Sequence, residues 1–225
     1  MFSKKSLMKS AAALCLVAGT SSAMASTIVL DFEGAGDYAS VLDFYNGGTD
    51  SQGNSGANYG IQFGANSLAL VDSDAGGNGN FANEPSANTI LFFLTGSAVL
   101  NYAPGFTTGF SFFYTSSTAA TVNVYDGLNA TGNLLGSILL NAQYSDNCVG
   151  DPYGSFCNWT NAGVAFSGIA KSIDFGGTVN QIGFDNITFG SAVADDGHKV
   201  PEPSSLLMLG LGILGLGAAR KRVSK

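Results

Sequence analysis

The sequence is short of positive charge and of histidine. Only two of its nine lysine and arginine residues, Lys171 and Lys199, lie between residues 26 and 199, where 15 acidic residues give a net charge of −13. So acidic a surface excludes nucleic-acid binding through phosphate neutralisation. The one histidine, His198, lies near the C-terminal end. No Ser-His-Asp triad, Cys-His pair or histidine zinc site can therefore be built inside the fold.

Long apolar runs are confined to the two ends of the chain. The first follows lysines at positions 4, 5 and 9, extends from Ala11 to Gly19, and leads to the small-x-small sequence Ala23-Met24-Ala25. This pattern predicts a secretory signal peptide over residues 1–25, removed by signal peptidase after Ala25 during export. The alternative is a buried N-terminal helix.

Cysteine is also scarce. Of the three cysteines, Cys15 lies in the predicted signal peptide, which leaves Cys148 and Cys157 in "NCVGDPYGSFCNW". Two cysteines in an exported domain are expected to form a disulfide bond.

Helical periodicity is absent between Thr27 and Gly190. Roughly ten short apolar or alternating runs, separated by Gly, Asn, Asp and Ser, instead predict an all-β domain over residues 26–190. An antiparallel sandwich is favoured, and a barrel is the alternative. The run "TILFFLT" (89–95) does not alternate, which predicts a central strand buried on both faces. Further strands are expected at "VLDFY" (41–45), "AVLNYA" (98–103), "GFSFFYT" (109–115), "VAFSG" (164–168) and "KSIDFG" (171–176).

The last predicted strand changes its own period. Ile182 and Phe184 have one parity, whereas Ile187 and Phe189 have the other. A regular strand would expose one of these pairs, so we predict a β-bulge at Asp185-Asn186 that directs both pairs inward.

Two polar segments, residues 46–60 and 72–88, are long for hairpin turns and are expected to be functional or mobile loops. In the second, Asp72, Asp74 and Asn78 resemble part of an EF-hand loop, but the remaining acidic ligand positions are not filled. A plain loop is favoured. Residues 191–199 are predicted to be a linker.

The chain ends in a three-part segment. Val200-Pro201-Glu202-Pro203 precedes an uncharged run from Ser204 to Ala219, and Arg220-Lys221-Arg222 follows. As a helix this run would be about 24 Å long, against a membrane core of about 30 Å. We expect one transmembrane helix over residues 204–219, with the basic tail 220–225 held in the cytoplasm.

This tail resembles the PEP-CTERM sorting signal. The resemblance implies recognition by an exosortase, a membrane-embedded cysteine transpeptidase-like enzyme, in a Gram-negative bacterium that makes exopolysaccharide. It implies an inner-membrane intermediate that is processed near Pro-Glu-Pro. The product then reaches the cell surface or the extracellular space, where exopolysaccharide is an expected partner.

The body is similar to the jelly-roll-like β-sandwich domains often found before this tail, through "TVNVYDGLNATGNLLGSILL", "AKSIDFGG" and "QIGFDNITF". In carbohydrate-binding jelly rolls, an acid on the first strand and an Asp near the last commonly hold structural calcium. Glu33 and Asp185 occupy comparable places. The terminal strands lie close together there, and two carboxylates with backbone carbonyls supply the oxygen ligands that calcium prefers. The alternative is a pair of solvated strand-end acids.

Aromatic residues accompany the predicted disulfide. Tyr153 and Trp159 have polar neighbours, as sugar-binding side chains do, although Trp159 can instead belong to a small core beneath the loop. No spacing singles out a catalytic acid pair, so we expect a non-enzymatic surface or matrix protein. The alternatives are a carbohydrate-binding module with a defined glycan ligand and an extracellular hydrolase.

Overall fold

The computed structural model describes residues 27–146, 148–149 and 153–195. Within these ranges the chain forms no α-helix, one 3-10 helix at Ser73–Ala75, and nine strands. The strands are β1 (Ile28–Leu30), β2 (Ile61–Phe63), β3 (Leu68–Val71), β4 (Thr89–Phe92), β5 (Ala98–Ser116), β6 (Ala120–Tyr125), β7 (Leu134–Leu140), β8 (Thr160–Phe175) and β9 (Ile182–Phe189).

The nine strands form one antiparallel sheet in the order β3-β4-β9-β5-β8-β6-β7, with β1 beside β9 and β2 beside β5. The all-β antiparallel prediction is confirmed. Strand β4 lies between β3 and β9 and is buried at all four positions, which confirms a central buried strand for residues 89–92 of the run at 89–95. The strand ends at Phe92, and Leu94 is 41% exposed.

Strands β5 and β8 are long because each continues through both layers of a folded sheet. Residues 98–101 of β5 pair with 172–175 of β8, and residues 108–114 pair with 160–166, while residues 102–105 have no partner on β8. Extra residues in one strand bend it and increase its twist. The ring of Phe175 in one layer packs on those of Phe112 and Phe184 in the other, with centroids 5.9 and 4.9 Å apart. The sheet thus closes on itself as a sandwich.

Three strand predictions need correction. The segments 98–103 and 109–115 are parts of one strand, as are 164–168 and 171–176. Residues 41–45 are a turn, in which Phe44 N donates to Val41 O (3.0 Å) and Leu42 has a φ of +47°. Val41, Phe44 and Tyr45 are buried nevertheless. Their apolar character therefore reflects packing into the core and not strand pairing.

The predicted bulge in β9 is confirmed. Ser111 of β5 pairs with Thr188 and Phe113 pairs with Asp185, so β9 has one more residue than β5 between these pairs. Asn186 takes up the irregularity with a φ of +46°. As a result, all eight residues of β9 are buried.

Several predicted segments lie outside the described residues: the signal peptide, the motif at 200–203, the transmembrane helix at 204–219 and the basic tail. In the described ranges, no helix is long and apolar enough to cross a membrane. Residues 191–195 of the predicted linker contact the sandwich. The Ser111 hydroxyl donates to Ser191 O (2.9 Å), and Asp195 N donates to Thr188 Oγ1 (3.0 Å).

Candidate functional site

The two acids singled out in the sequence, Glu33 and Asp185, meet around one serine. Glu33 follows β1, Asp185 lies in β9, and these strands are paired. Ser86 lies in the loop before β4. Its N donates to Asp185 Oδ2 (2.7 Å), and its hydroxyl oxygen lies 2.9 Å from Asp185 Oδ1 and 3.2 Å from Glu33 Oε1.

The Ser86 hydroxyl has four acceptor oxygens around it. Besides the two carboxylates, the backbone carbonyls of Asp31 and Thr89 lie 3.0 and 3.4 Å from Ser86 Oγ. A hydroxyl carries one proton and cannot satisfy four acceptors fully. The Ser86 hydroxyl is consequently surrounded by more acceptor oxygens than its one proton can satisfy.

The same carboxylates also hold the polypeptide in place. Glu33 Oε1 accepts from the backbone N–H groups of Asn88 and Thr89, both at 2.8 Å. Asp185 Oδ1 accepts from Asn186 N at 2.7 Å. These bonds join the start of β4 to β1 and to the bulge of β9. The acids are therefore tied into the fold and are not solvated strand ends.

Asp185 is fully buried. Burial raises the pKa of its carboxyl to about 7, the hydrogen bonds from Ser86 and Asn186 oppose this shift, and the charge of Glu33 adds to it. Two carboxylates that share one serine repel each other, so either a proton or a cation lowers the energy of the pair.

Tyr45 supports this end of the sandwich. Its hydroxyl accepts from Phe32 N (2.7 Å) and lies 3.3 Å from Asp31 Oδ1. Burial, and then the charge of Asp31, raise the pKa of Tyr45. Phe32 has a φ of +60°, a conformation that bulky residues rarely adopt. The Tyr45 bond thus fixes a strained backbone between Asp31 and Glu33.

Sequence reasoning missed Ser86, Asp31, Thr89 and Tyr45. Asp31 could have been found, because it lies two residues before Glu33 in "LDFEG". Ser86 gave no signal, since serine is common in loops. The described residues hold no group of three or more His, Cys, Asp or Glu side chains arranged for a metal. Any cation here would therefore rely on carbonyl and hydroxyl oxygens alongside the two carboxylates, which is a ligand set that calcium accepts.

The predicted disulfide is present and joins Cys148 to Cys157, with the two Cα atoms 5.2 Å apart. Trp159 follows it and faces inward. Its Nε1 donates to Ala82 O (3.0 Å), and its ring packs edge-on against Phe81 with centroids 6.4 Å apart. Tyr153, by contrast, is 70% exposed. The structure places Trp159 in the small core beneath the loop, as the alternative interpretation expected, and leaves the ligand role of both residues a prediction.

Residues 199–222 match the PEP-CTERM protein-sorting motif. The chain therefore carries this sorting signal, which implies that the protein is exported and recognised by an exosortase at the membrane. The match covers the tail and does not extend into the sandwich. No curated protein matches the sequence significantly.

Solved structures resemble the sandwich weakly. One is CsCBM6-3 from Clostridium stercorarium in complex with cellobiose, with 16% identity, coverage of 56% of this chain and 82% of that chain, and a TM-score of 0.35. Another is the K1 cleaved adhesin domain of Lys-gingipain from Porphyromonas gingivalis W83, with 12% identity, coverage of 74% and 99%, and a TM-score of 0.37. A third is a carbohydrate-binding module from Cellvibrio mixtus lichenase 5A in complex with cellotriose, with 11% identity, coverage of 56% and 88%, and a TM-score of 0.34. At these TM-scores the ligands and roles of those proteins are not carried over to this chain.

Proposed function

We propose that this chain, which carries a PEP-CTERM sorting motif, is a non-enzymatic protein of the cell surface or extracellular matrix and associates with exopolysaccharide. The observation that carries the proposal is the sorting motif at residues 199–222. Its partners are the export machinery, signal peptidase, an exosortase and, transiently or permanently, the membrane. The organism is a Gram-negative bacterium, with an inner-membrane intermediate on the route.

The sandwich suits an extracellular, non-catalytic role. A disulfide ties its 148–157 loop, and disulfides persist outside the cytoplasm. Its most deeply buried carboxyl group, that of Asp185, is bonded to Ser86 and to its neighbour's backbone and joins strands together. The chain's one histidine, His198, belongs to the predicted linker 191–199. The buried polar groups thus support a role in holding the fold.

The mass of the exported protein tests the sorting proposal. Cells with an active exosortase should yield a form that lacks both the signal peptide and the residues after the Pro-Glu-Pro sequence. An exosortase-deficient strain should retain those C-terminal residues. Finding the complete tail in both strains would overturn the proposal.

We also propose structural calcium at Glu33 and Asp185. Support comes from the four oxygens around Ser86 Oγ, which include both carboxylates and two backbone carbonyls. These residues would hold the ion, with Ser86 contributing its hydroxyl or turning away. A divalent cation would offset the repulsion between the two carboxylates in a region whose net charge is strongly negative. Its role would be to join β1, β9 and the loop before β4.

A further inference from the structure

A groove runs across the outer face of the layer formed by β6, β7 and β8. Its volume is about 580 Å³, within the range of roughly 300–1,000 Å³ that is usual for sites that bind small molecules. The strands alternate around it, because Val122 and Val124 face the core while Thr121 and Asn123 face outward. The groove is therefore built on rigid strands and needs little ordering when a ligand binds.

The groove contains a carboxyl oxygen without a partner. Asp174 Oδ1 is buried, and no donor among the described residues reaches it. A buried acceptor that is left unpaired destabilises the folded protein, because the loss of its hydrogen bonds to water is not compensated. No donor within the described residues recovers this energy, and the Asp174 side chain that carries this oxygen lines the groove.

The other side chains that line the groove are neutral, and some of them are polar. Asn123 is the cross-strand neighbour of both Asp174 on β8 and Ser137 on β7. Ser137 Oγ donates to Asn123 Oδ1 (2.7 Å), which leaves the Asn123 amide N–H₂ group as a donor. Thr121 and Asn141 also line the groove, and Leu139, 80% exposed, adds an apolar wall.

We infer that this groove binds a neutral glycan, one of whose hydroxyl groups donates to the Asp174 carboxyl group. A hydroxyl group both donates and accepts, and so can pair with Asp174 and with the Asn123 amide. An ammonium group only donates and would leave the amide unmatched. A polyanionic chain is disfavoured by the net charge of −13 between residues 26 and 199. Leu139 can contact the apolar face of a sugar ring.

Beneath the other candidate for sugar binding, the loop around Trp159, the described residues Phe81, Phe92 and Phe156 line a cavity of about 30 Å³. This is close to the volume that one water molecule occupies in the liquid and cannot admit a sugar ring. The inference about the groove rests on the proposed association with exopolysaccharide. It assigns polysaccharide binding to the face formed by β6, β7 and β8, and the disulfide loop is not part of this face.

Affinity electrophoresis and calorimetry of the exported protein test this inference. The probes are four neutral polysaccharides (an α-glucan, a β-glucan, a galactomannan and a xylan), alginate as the polyanion and chitosan oligosaccharide as the polycation. We expect binding to at least one neutral polymer. Asp174→Ala and Asn123→Ala should each weaken it about tenfold or more, as expected when a good hydrogen bond to a sugar is lost.

Matched variants separate binding from folding. Asp174→Asn keeps the shape of the side chain and should weaken binding less than Asp174→Ala. Asp74→Asn makes the same change of charge at an exposed position outside the groove and should bind like the parent. The inference would be overturned if the protein bound only chitosan, if it bound no neutral polymer, or if Asp174→Ala and Asn123→Ala both bound as tightly as the parent. Tail processing is measured separately by mass, so failure of the groove and failure of the sorting proposal are distinguishable.

Discussion

The Ser86 hydroxyl oxygen lies 2.9 Å from Asp185 Oδ1, across 99 positions of the sequence. Ser86 belongs to the loop before β4, and Asp185 to the bulge of β9. Their contact, together with Glu33 after β1, joins three separate parts of the chain at one end of the sandwich. Stability at this end therefore depends on the charge state of two carboxyl groups.

Calcium should stabilise the exported protein. At a free concentration 100 times the dissociation constant, one bound ion contributes about 2.7 kcal/mol. For a domain of this size that corresponds to a rise in Tm of roughly 5–10 °C. Thermal unfolding with calcium and with a chelator measures the effect, and an unchanged midpoint would remove calcium from the proposal.

Glu33→Gln and Asp185→Asn should each abolish the calcium response, since each removes a charged ligand. Asp74→Asn provides the control, because this acid is exposed and lies outside the cluster. If the control also loses the response, the effect of calcium comes from the overall negative charge and not from Glu33 and Asp185.

Without calcium, stability should fall as the pH rises. The pKa of Asp185 is raised to about 7 in the folded protein, above its ordinary value of 3.8. The folded state therefore binds more protons than the unfolded state between pH 4 and 7, and this contribution is lost as the pH rises through about 7. The loss is on the order of 4 kcal/mol at most. Urea unfolding in chelator at pH 5 and pH 8 measures it, and the parent should lose more stability than Asp185→Asn over this interval.

Asp50 should have the opposite pH dependence. It is 3% exposed and accepts from Gly36 N, Gln52 N, Asn54 N and Asn54 Nδ2, at 2.8–2.9 Å. Burial raises its pKa, but these four bonds outweigh burial and leave the pKa lowered. Its contribution is present above the unfolded pKa and lost as the pH falls below about 4.

Asp50→Ala removes the acceptor of those four bonds and should destabilise the protein by about 2–3 kcal/mol at pH 7. Chemical unfolding of Asp50→Ala and of the parent at pH 7 and pH 3.5 is the measurement. The difference between the two proteins should shrink at the lower pH. A difference that stays constant would show that the carboxylate charge plays no part in holding the 46–60 loop.

Trp159→Ala and Tyr153→Ala should differ in stability. Trp159→Ala removes the hydrogen bond to Ala82 O and the ring contact with Phe81. For a half-buried aromatic side chain this should lower the free energy of unfolding by about 2–3 kcal/mol. Tyr153 is mostly exposed, so its truncation should change stability by no more than about 0.5 kcal/mol. Equal effects on unfolding would contradict the packing role of Trp159. Loss of glycan binding in Tyr153→Ala alone would return the ligand site to the disulfide loop.

Local sequence patterns predicted much of the fold. Period-two runs predicted an all-β chain, and the change of parity between Phe184 and Ile187 located the bulge in β9. The scarcity of cysteine predicted the bond between Cys148 and Cys157. Such features can be predicted from the sequence because strand alternation and bulges depend on neighbouring residues. The disulfide could be predicted because each cysteine had only one possible bonding partner.

The errors came from interactions between distant residues. The turn at residues 41–45 has a strand-like composition because Val41 and Phe44 fill the core. The ligand role of Trp159 stays a prediction, but its packing against Phe81, about 80 residues earlier in the chain, could not be derived from local spacing. In both cases the apolar side chain indicates that the residue is buried, but it does not show which other residues bury it.

The sequence by itself determined the sorting tail, the all-β class and the disulfide, and it singled out Glu33 and Asp185 as a pair, since each depends on residue type and local spacing. Only the tertiary structure decided that Ser86 lies between Glu33 and Asp185. It also decided that Asp174 lines a groove and that its Oδ1 atom has no hydrogen-bond partner among the described residues. The physical reason is strand register. Pairing of β1 with β9 and of β6 with β8 brings together side chains that are far apart along the chain. Their positions in the sequence do not show that they are in contact.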